Sequence, residues 1–233
     1  MIAAITTVLD EAHIVGSTVA HLYNQGIDEI YVYLGPCTDN TREVLAPYPV
    51  TILDDLSPVH YQPARMNELA ALAGEAGAEW IIPFDADEYW CSEKLEAYPT
   101  VADALGVIPA DGTVVRVGSY HYHDREYRQP HTQWNTKVAY RWRPEAELTN
   151  GNHDVLHVGG LPVYGALLIR ELQYSSFEHF CKKVADRCRT LDPAARARGE
   201  GVHHTRLEGA SVDELREAWD KLAASANVYD PIP

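Results

Sequence analysis

The sequence predicts an α/β fold, in which a mostly parallel sheet with flanking helices is followed by a smaller antiparallel and helical part. In the first 90 residues, segments of helical periodicity separate four short apolar segments, at 1–9, 29–34, 50–53 and from residue 79. Nearly continuous apolar segments indicate strands buried on both faces, as parallel strands are. After Trp90 the pattern alternates and then becomes helical, which predicts the second part.

Each helix predicted between these strands has an apolar stripe and a start or stop signal. The first follows Asp10 and Glu11 and stops at Gly26. A turn at 35–41 leads into a short helix that prolines close. Pro63 starts the third helix, whose inner face carries Met66, Leu69, Leu72, Ala73 and Ala76.

The second part begins with a helical segment at 93–107, interrupted at Pro99. Segment 112–123 alternates like a strand and is expected to pair antiparallel with 135–142. Ser175 to Glu178 has the pattern of a capping box that starts a helix, and Ser211 to Glu214 has the same pattern before the last helix. The small, basic, glycine-rich segment 193–206 predicts a mobile loop.

Composition excludes several function classes. The formal net charge of −15 argues against loose binding to nucleic acid or to an anionic membrane. No apolar run approaches the ~20 residues of a membrane-spanning helix, so we expect a soluble, cytoplasmic protein, with peripheral membrane contact and homo-oligomerisation left open. The four cysteines lack metal-ligand spacing, which predicts reduced, mostly buried thiols.

The segment from Glu79 to Trp90 carries the strongest chemical signal. It is a short apolar strand followed by Asp85, Asp87 and Glu88. If the strand continues, Asp85 and Asp87 share one face and Glu88 lies opposite. Paired carboxylates at the carboxyl end of a strand suit Mg²⁺ or Mn²⁺ bound to phosphate oxygens. The alternative is an acidic strand exit that only solvates the chain.

Carboxylates also follow the other predicted strands. Because parallel strands end at the same edge of a sheet, these side chains are expected to cluster there although they are scattered in sequence. The set comprises Asp10, Glu11, Asp39, Asp54 and Asp85. For Asp10 and Glu11 the alternative is the negative charge that the start of a helix favours.

The ordered set of motifs resembles the family-2-like glycosyltransferases of the GT-A fold, which is Rossmann-like. The motifs are Glu-Trp-Ile-Ile-Pro-Phe-Asp-Ala-Asp-Glu at 79–88, Ala-Arg-Met-Asn at 64–67 and Thr-Asp-Asn-Thr at 38–41. The later Asn-Thr-Lys-Val at 135–138, Gly-Asn-His at 151–153 and the helix at 175–183 are similar to the C-terminal signature of one branch with an Asp-Ala-Asp-Glu core. The resemblance covers roughly residues 1–190, and each motif alone is weak.

The resemblance implies roles for individual residues. Asp85 and Asp87 would meet the ribose and the Mn²⁺ or Mg²⁺ on the donor diphosphate, and Arg65 would reach its phosphates. The nucleotide pocket would also be lined by Thr6, Thr7 and Asn67. The sequence departs from the family at Leu34-Gly35, where an acidic residue usually reads the base. Asp39 or Asp54 is the expected substitute, so a UDP-sugar and a GDP-sugar both stay open.

The acceptor hydroxyl must lose a proton to a carboxylate or imidazole. By analogy with the fold, Asp154 is the first candidate for this base, followed by His153 and Glu171. The alternative for His153 and Asp154 is a simple turn, because 150–154 has turn composition. Glu171 stands where the family often has a histidine before the capped helix.

The sequence therefore predicts a metal-dependent glycosyltransferase of the hexosyltransferase type. It would move a sugar from a nucleotide donor to a sugar or small-molecule acceptor, with inversion. Residues 1–110 would form the donor-binding half, and 111–233 the acceptor-binding half, of one domain. Two alternatives stay open: a non-catalytic nucleotide- or sugar-binding module, and a phosphatase or nucleotidyltransferase that uses the Asp-x-Asp.

Overall fold

The computed structural model describes residues 1–55, 62–190 and 205–232, and within them all side chains except those of 134–136, 187, 189 and 190. The described chain divides into two compact units. The first comprises Met1–Tyr120 and His131–Glu171, and the second comprises His121–Pro130 and Leu172–Ile232. These boundaries differ from the functional division at residue 110, which stays a prediction.

An eight-stranded sheet forms the centre of the first unit. Its strand order is β3-β2-β1-β4-β8-β6-β11-β5. The strands are β1 (Ile2–Val8), β2 (Glu29–Leu34), β3 (Thr51–Asp54), β4 (Trp80–Pro83), β5 (Glu88–Ser92), β6 (Gly112–His121), β8 (Gln133–Arg141) and β11 (Leu161–Glu171).

One half of this sheet is parallel, as the apolar segments predicted. β1 pairs in parallel with both β2 and β4, and β2 pairs in parallel with β3. The carboxyl ends of β1 to β4 therefore lie at one edge, where the strand-end carboxylates were expected. The α/β fold class is confirmed.

The other half of the sheet is antiparallel. β8 pairs antiparallel with β4 and with β6, so the predicted pairing of 112–123 with 135–142 is confirmed. β11 pairs antiparallel with β5 at the far end of the sheet. Two short strands, β9 (Glu147–Leu148) and β10 (Val155–Leu156), pair beside the sheet and flank the 3₁₀ helix at Asn150–Asn152.

In the described part of the first unit the α-helices are α1 (Val15–Asn24), α2 (Thr41–Leu45), α3 (Gln62–Glu75) and α4 (Val101–Gly106). The buried side of α3 packs with Ala3 and Ile5 of β1 in one apolar cluster. Because side chains alternate along a strand, Ala4 and Thr6 point to the opposite face, where they are fully buried. The sheet is therefore covered on both faces where β1 crosses it.

The second unit is built around an aromatic cluster. It contains α5 (Phe177–Thr190), α6 (Val212–Ser225) and the two-stranded pair of β7 (Tyr127–Arg128) with β12 (Val228–Tyr229). The buried residues of the aromatic cluster are Tyr174, Phe180 and Val184, and Trp219 of α6 packs against them. No helix of the described chain is long and apolar enough to cross a membrane.

Several local predictions need correction. The capping residue of α5 is Ser176, since its hydroxyl accepts from the amide of His179, and not Ser175. The helix expected over 93–107 is confined to α4, where Thr100 and Asp103 form a capping box. The predicted capping box at Ser211 is confirmed. Only Cys91 is buried among the four cysteines. Most of the predicted loop at 193–206 lies outside the described residues.

Candidate functional site

The two aspartates lie in a tight turn at the carboxyl end of β4. The strand ends at Pro83, and the amide of Phe84 still donates to the carbonyl of Ile5 on β1 (3.0 Å). The amide of Glu88 then donates to the carbonyl of Asp85 (3.0 Å), which closes a turn over 85–88. Asp85 and Asp87 are both half-buried. The expectation of a continuing strand, with the two side chains alternating on it, is therefore wrong.

The alternation of a strand predicted that Glu88 lies opposite the aspartates, but the structure places it elsewhere. Its carboxylate turns back and accepts hydrogen bonds from the amide of Asp85 (3.0 Å) and from the indole Nε1 of Trp90 (3.3 Å). The side chain is 3% exposed. Glu88 thus acts as a buried brace for the turn, because it fixes the backbone of the first aspartate.

Lys137 of β8 contacts both carboxylates. Its ammonium Nζ lies 2.6 Å from Oδ2 of Asp85 and 3.2 Å from Oε1 of Glu88. The lysine side chain is 8% exposed, whereas that of Asp85 is 43% exposed. The other oxygen of Asp85 accepts no hydrogen bond from the part of the chain that the structure describes, so it is available to a ligand.

Burial and charge change the protonation of this cluster. Burial raises the pKa of Glu88 above its ordinary value, and the charge of Lys137 acts in the opposite direction. For Lys137, burial would lower the pKa, but the carboxylates of Asp85 and Glu88 outweigh it and hold the pKa above its ordinary value. The ammonium therefore stays charged, since a buried lysine with two carboxylate partners favours its protonated form.

Helix α1 supports the same turn from the other side. The hydroxyl of Thr18 donates to the carbonyl of Ala86, between the two aspartates. The hydroxyls of Ser17 and Tyr89 share a hydrogen bond of 2.7 Å, and Nε2 of His21 bonds to the carbonyl of Trp90 (2.7 Å). Contacts from α1 to Ala86, Tyr89 and Trp90 thus set the position of Asp87. The contacting residues are at least 68 positions apart in the sequence.

The loops that follow β1 and β2 are joined by their own carboxylates. Asp10, at a positive φ of 56°, accepts from the amides of Thr38 (2.6 Å) and Asp39 (3.2 Å). Asp39 in turn accepts from the amides of Ala12 and Thr41. Asp10 lies five residues before α1 begins, so it does not serve the helix dipole.

Asp39 is poorly suited to read a nucleotide base. Burial alone would raise its pKa, but the hydrogen bonds from Thr41 and Ala12 lower it overall. Its acceptor oxygens are already used within the loop. The amide of Glu11 likewise donates to the hydroxyl of Thr41 (3.0 Å), so the neighbouring Glu11 is held by the same loop pair.

Asp54 is the more accessible candidate for base reading. It ends β3, is 56% exposed and forms an ion pair with Arg42 of α2. A cleft of about 270 Å³ opens here, at the carboxyl ends of β2 and β3. Its lining residues are Leu34, Gly35, Pro36, Cys37, Asp39, Arg42, Glu43 and Asp54.

Two residues of α3 make contacts within the protein that the resemblance did not suggest. The guanidinium of Arg65 donates twice to the carboxylate of Asp55 (3.0 and 3.2 Å) and twice to that of Glu68 (3.1 and 3.4 Å). The side-chain amide of Asn67 makes two bonds to the backbone of Leu148 (2.8 and 3.3 Å). Each residue thus has a structural role, and a phosphate would compete with Asp55 for Arg65.

Thr6 cannot line the nucleotide pocket in this structure. Its side chain is fully buried inside the sheet. The next residue, Thr7, is half-buried and lies nearer the carboxyl end of β1. Of this pair, Thr7 is the one that a ligand can reach.

Asp154 and His153 lie away from the paired aspartates. Asp154 forms a 2.6 Å ion pair with Arg116 of β6, which also donates to the carbonyl of His153 (3.2 Å). In the β6–β8 register, Arg116 pairs with Val138, whereas Val117 pairs with Lys137. Since adjacent residues of a strand point to opposite faces, Asp154 and Lys137 lie on opposite faces of the sheet.

Glu171 lies close to the aspartate turn. It is the last residue of β11, and its cross-strand partner is Glu88 of β5. The two carboxylates are near enough for the charge of Glu171 to contribute to the raised pKa of Glu88, after burial and Asp85. Glu171 is half-buried, so it keeps access to solvent and to a ligand.

The structure therefore brings Asp85, Asp87 and Glu171 to one place, and adds Lys137 and Glu88 to them. Sequence reasoning missed the roles of the last two. Lys137 stood in the Asn-Thr-Lys-Val motif at 135–138, and a lysine in a predicted buried strand was the signal that could have identified it.

Comparisons with known proteins bear on this geometry. The family model for glycosyl transferase family 2 matches residues 3–170, which include every strand of the central sheet except the first residue of β1 and the last residue of β11. This chain belongs to that family. The match confirms the family suggested by the motifs. No curated protein is detectably similar in sequence to the chain.

Solved structures show a weaker likeness to this family-2 chain. Mannosyl-3-phosphoglycerate synthase from Rubrobacter xylanophilus is 18% identical, with a TM-score of 0.39, over 51% of this chain and 40% of its own. Glucosyl-3-phosphoglycerate synthase from Mycobacterium tuberculosis, in complex with Mn²⁺, UDP and glucosyl-3-phosphoglycerate, is 14% identical. Its TM-score is 0.37, over 52% of this chain and 44% of its own. This chain thus matches less than half the length of either synthase.

Proposed function

We propose that this chain is a metal-dependent glycosyltransferase of the hexosyltransferase type. It would move a sugar from a nucleoside-diphosphate sugar to the hydroxyl of a sugar or small-molecule acceptor, with inversion. Membership of glycosyl transferase family 2 supports this proposal. The observation that carries it is the turn at the end of β4, which holds Asp85 and Asp87 half-exposed beside the ends of β1 and β2.

The chemistry of these side chains fits a divalent metal. Asp87 and the outer oxygen of Asp85 are hard oxygen donors, which Mg²⁺ and Mn²⁺ prefer. When bound, such an ion would stabilise the negative charge that develops on the leaving diphosphate. The mycobacterial glucosyl-3-phosphoglycerate synthase forms complexes with UDP and either Mn²⁺ or Mg²⁺.

The nucleotide would lie over the carboxyl ends of β1 to β3. The cleft there offers Asp54 and Arg42 to a base or ribose, and Thr7 lies half-buried next to the last residue of β1. Asp10, Glu11 and Asp39 shape this part of the site by joining its loops. The base that the cleft selects, uracil or guanine, is a question for ligand titration.

For the acceptor, position favours Glu171 as the general base over Asp154. Glu171 lies beside the aspartate turn through its pairing with Glu88, whereas the carboxylate of Asp154 is engaged by Arg116. A general base must lie within hydrogen-bond reach of the hydroxyl that attacks the sugar. His153, exposed in the loop beside Asp154, ranks after both.

A binding module without catalysis is the second candidate function. Two observations favour it: the lysine on Asp85 and the missing acidic residue at Leu34-Gly35. Titration with UDP and GDP, each with and without Mn²⁺, separates the candidates. Metal-dependent binding with slow hydrolysis of a sugar donor supports transfer, binding without turnover supports the module, and phosphate release from simple esters supports a phosphatase.

The decisive variant is Asp87→Asn. We expect it to abolish metal-dependent nucleotide binding and to change the melting temperature little, because a half-exposed ligand beside an open site contributes to function more than to packing. Calorimetric titration and thermal unfolding measure the two quantities. The matched control is Asp111→Asn, which neutralises an exposed carboxylate in another loop. Unchanged nucleotide affinity in Asp87→Asn would remove the metal assignment.

A further inference from the structure

The family resemblance assigned no role to Lys137. Its ammonium nevertheless forms a 2.6 Å ion pair with Asp85. A buried ammonium is unfavourable unless carboxylates compensate it. Lys137 is compensated by two carboxylates that differ greatly in exposure: Glu88 is 3% exposed and Asp85 is 43% exposed. The lysine therefore connects a buried, hydrogen-bonded carboxylate to a half-exposed one.

The closer contact is the one that faces the site. The ammonium lies 2.6 Å from Asp85 and 3.2 Å from Glu88. Glu88 has two further donors, the amide of Asp85 and the indole of Trp90, so it does not depend on Lys137 alone. If the lysine served only to neutralise Glu88, a contact with the more exposed Asp85 would not be needed.

The positive charge of Lys137 weakens the binding of a divalent ion to Asp85 when no other ligand is present. An ion on the outer oxygen of Asp85 would lie within roughly 6 Å of the ammonium, given metal–oxygen distances of about 2 Å. Repulsion between a double and a single positive charge at that distance weakens binding about tenfold even at the dielectric constant of water. A nucleoside diphosphate would reverse this balance, because its negative charges face the metal and the lysine together.

We propose that Lys137 is a positioning residue that holds Asp85 and prevents a divalent cation from binding strongly until a nucleoside diphosphate arrives. The donor and the metal then enter as a pair. This inference rests on the proposed function, because it presupposes a diphosphate ligand. It assigns to one buried side chain the coupling between metal and nucleotide affinity, which is a binding free energy shared by two ligands.

The test compares Mn²⁺ alone with Mn²⁺ plus UDP or GDP, by isothermal calorimetry. Wild-type protein is expected to bind Mn²⁺ alone weakly and to bind it more tightly with a nucleoside diphosphate. Lys137→Met is expected to bind Mn²⁺ alone at least about tenfold more tightly, and to lose most of the gain that the nucleotide gives. Lys137→Arg, which keeps the charge, is expected to resemble wild type.

Two further variants keep the test decisive. Lys94→Met removes one positive charge from an exposed position and is expected to change nothing. In the single variant Lys137→Met, the buried carboxylate of Glu88 lacks its cation. The double variant Lys137→Met/Glu88→Gln removes that carboxylate as well, and this double variant is measured if the single variant does not fold. It is expected to bind Mn²⁺ alone more tightly too. A return to wild-type affinity would assign the effect to Glu88 and overturn the proposal.

The outcomes separate the two proposals. If Lys137→Met binds Mn²⁺ alone no more tightly than wild type, while wild type binds UDP or GDP with Mn²⁺, the role of Lys137 is overturned and the proposed function stands. If wild type binds neither nucleotide with Mn²⁺, the proposed function is overturned. Tighter Mn²⁺ binding in Lys137→Met, or in its combination with Glu88→Gln, with Lys137→Arg and Lys94→Met like wild type, supports the role of Lys137.

Discussion

At the scale of single residues, the same kind of side chain serves different purposes according to its partner. Asp85 and Asp154 are both carboxylates in loops with a cation beside them. Asp85 accepts from Lys137 through one oxygen, and Asp154 accepts from Arg116 and from the amide of Val155 through one oxygen. The two carboxylates differ in position, because Asp85 lies in the turn with Asp87 whereas Arg116 holds Asp154 on the opposite face of the sheet.

This difference leads to a prediction about the general base. Glu171→Gln is expected to leave donor affinity intact and to reduce sugar transfer or donor hydrolysis on the order of 10²-fold or more, because a neutral amide cannot accept the proton. Asp154→Asn is expected to lower stability more than turnover, since Arg116 loses its charged partner. Turnover rates at saturating donor, together with calorimetric donor affinities, measure both.

The contrary result is equally clear. Normal turnover in Glu171→Gln, with a large loss in Asp154→Asn, would return the role of base to Asp154. A loss of donor affinity in Glu171→Gln would instead indicate that Glu171 binds the metal or the donor.

The residue scale also shows how far the sequence could predict the site. Asp85 and Asp87 were found because a carboxylate pair directly after an apolar strand is visible in a short window. Glu88 was placed on the wrong side, since alternation assumes a continuing strand and the chain turns after Phe84. The role of Lys137 could not be predicted, because its contact with Asp85 depends on the pairing of strands 52 residues apart in sequence.

At the scale of elements, α1 holds the aspartate turn through polar side chains on its buried side. His21 is 6% exposed, and burial lowers its pKa, with the hydrogen bond to Trp90 acting in the opposite direction. The helix was predicted from its apolar stripe. Its polar contacts were not, since a buried threonine or histidine in a helix does not reveal which carbonyl it will reach.

The lowered pKa of His21 predicts a pH dependence of stability. In the unfolded chain this histidine titrates near its ordinary pKa of 6.5. As the pH falls below that value, the unfolded state binds a proton that the folded state does not, so the free energy of unfolding decreases. Above pH 6.5 the contribution is fully present, and it is lost as the pH falls towards the lower folded-state pKa.

His21→Gln is the variant that checks this dependence. Glutamine can still donate to the carbonyl of Trp90 but does not titrate. Urea unfolding at pH 7.5, 6.5 and 5.5 is expected to show a smaller loss of stability with falling pH in the variant than in wild type. Equal losses in the two proteins would mean that His21 does not control acid stability.

The antiparallel elements were predicted less completely than the parallel ones. The pairing of β6 with β8 followed from alternation over nine or ten residues. The pairing of β5 with β11 did not, because Glu88–Ser92 is short and buried at every position, which gives no alternation to read. The position of Glu171 beside the site depends on that unpredicted pair.

At the scale of the whole molecule, the second unit is assembled from two distant segments. Asp230 accepts from Nε of Arg128 (2.8 Å) and from the hydroxyl of Tyr122 (2.9 Å), and β12 pairs with β7. The side chain of Arg128 is 16% exposed, so the carboxylate of Asp230 compensates a largely buried positive charge. Segment 121–130 is therefore fixed by residues about a hundred positions later.

We expect Asp230→Asn to destabilise the protein by about 1–3 kcal/mol, because a largely buried guanidinium loses its charged acceptor. Chemical unfolding measured by far-ultraviolet circular dichroism tests this. Glu217→Gln removes a carboxylate from an exposed pair with Lys221 and is expected to have little effect. An equal loss of unfolding free energy in the two variants would show that the contacts of Asp230 stabilise the protein no more than an exposed ion pair does.

The β4 turn receives two of its supports late during synthesis on the ribosome. Strands β1 to β4 have been translated by Pro83, and α1, which contacts the turn, precedes β4 in the chain. The ammonium of Lys137 and the strand that fixes β5 follow only at residues 137 and 161–171. A nascent chain halted before β11 would therefore display the two aspartates with Lys137 beside them but without Glu171. Sugar transfer, and not donor binding, would have to await the emergence of Glu171 from the exit tunnel.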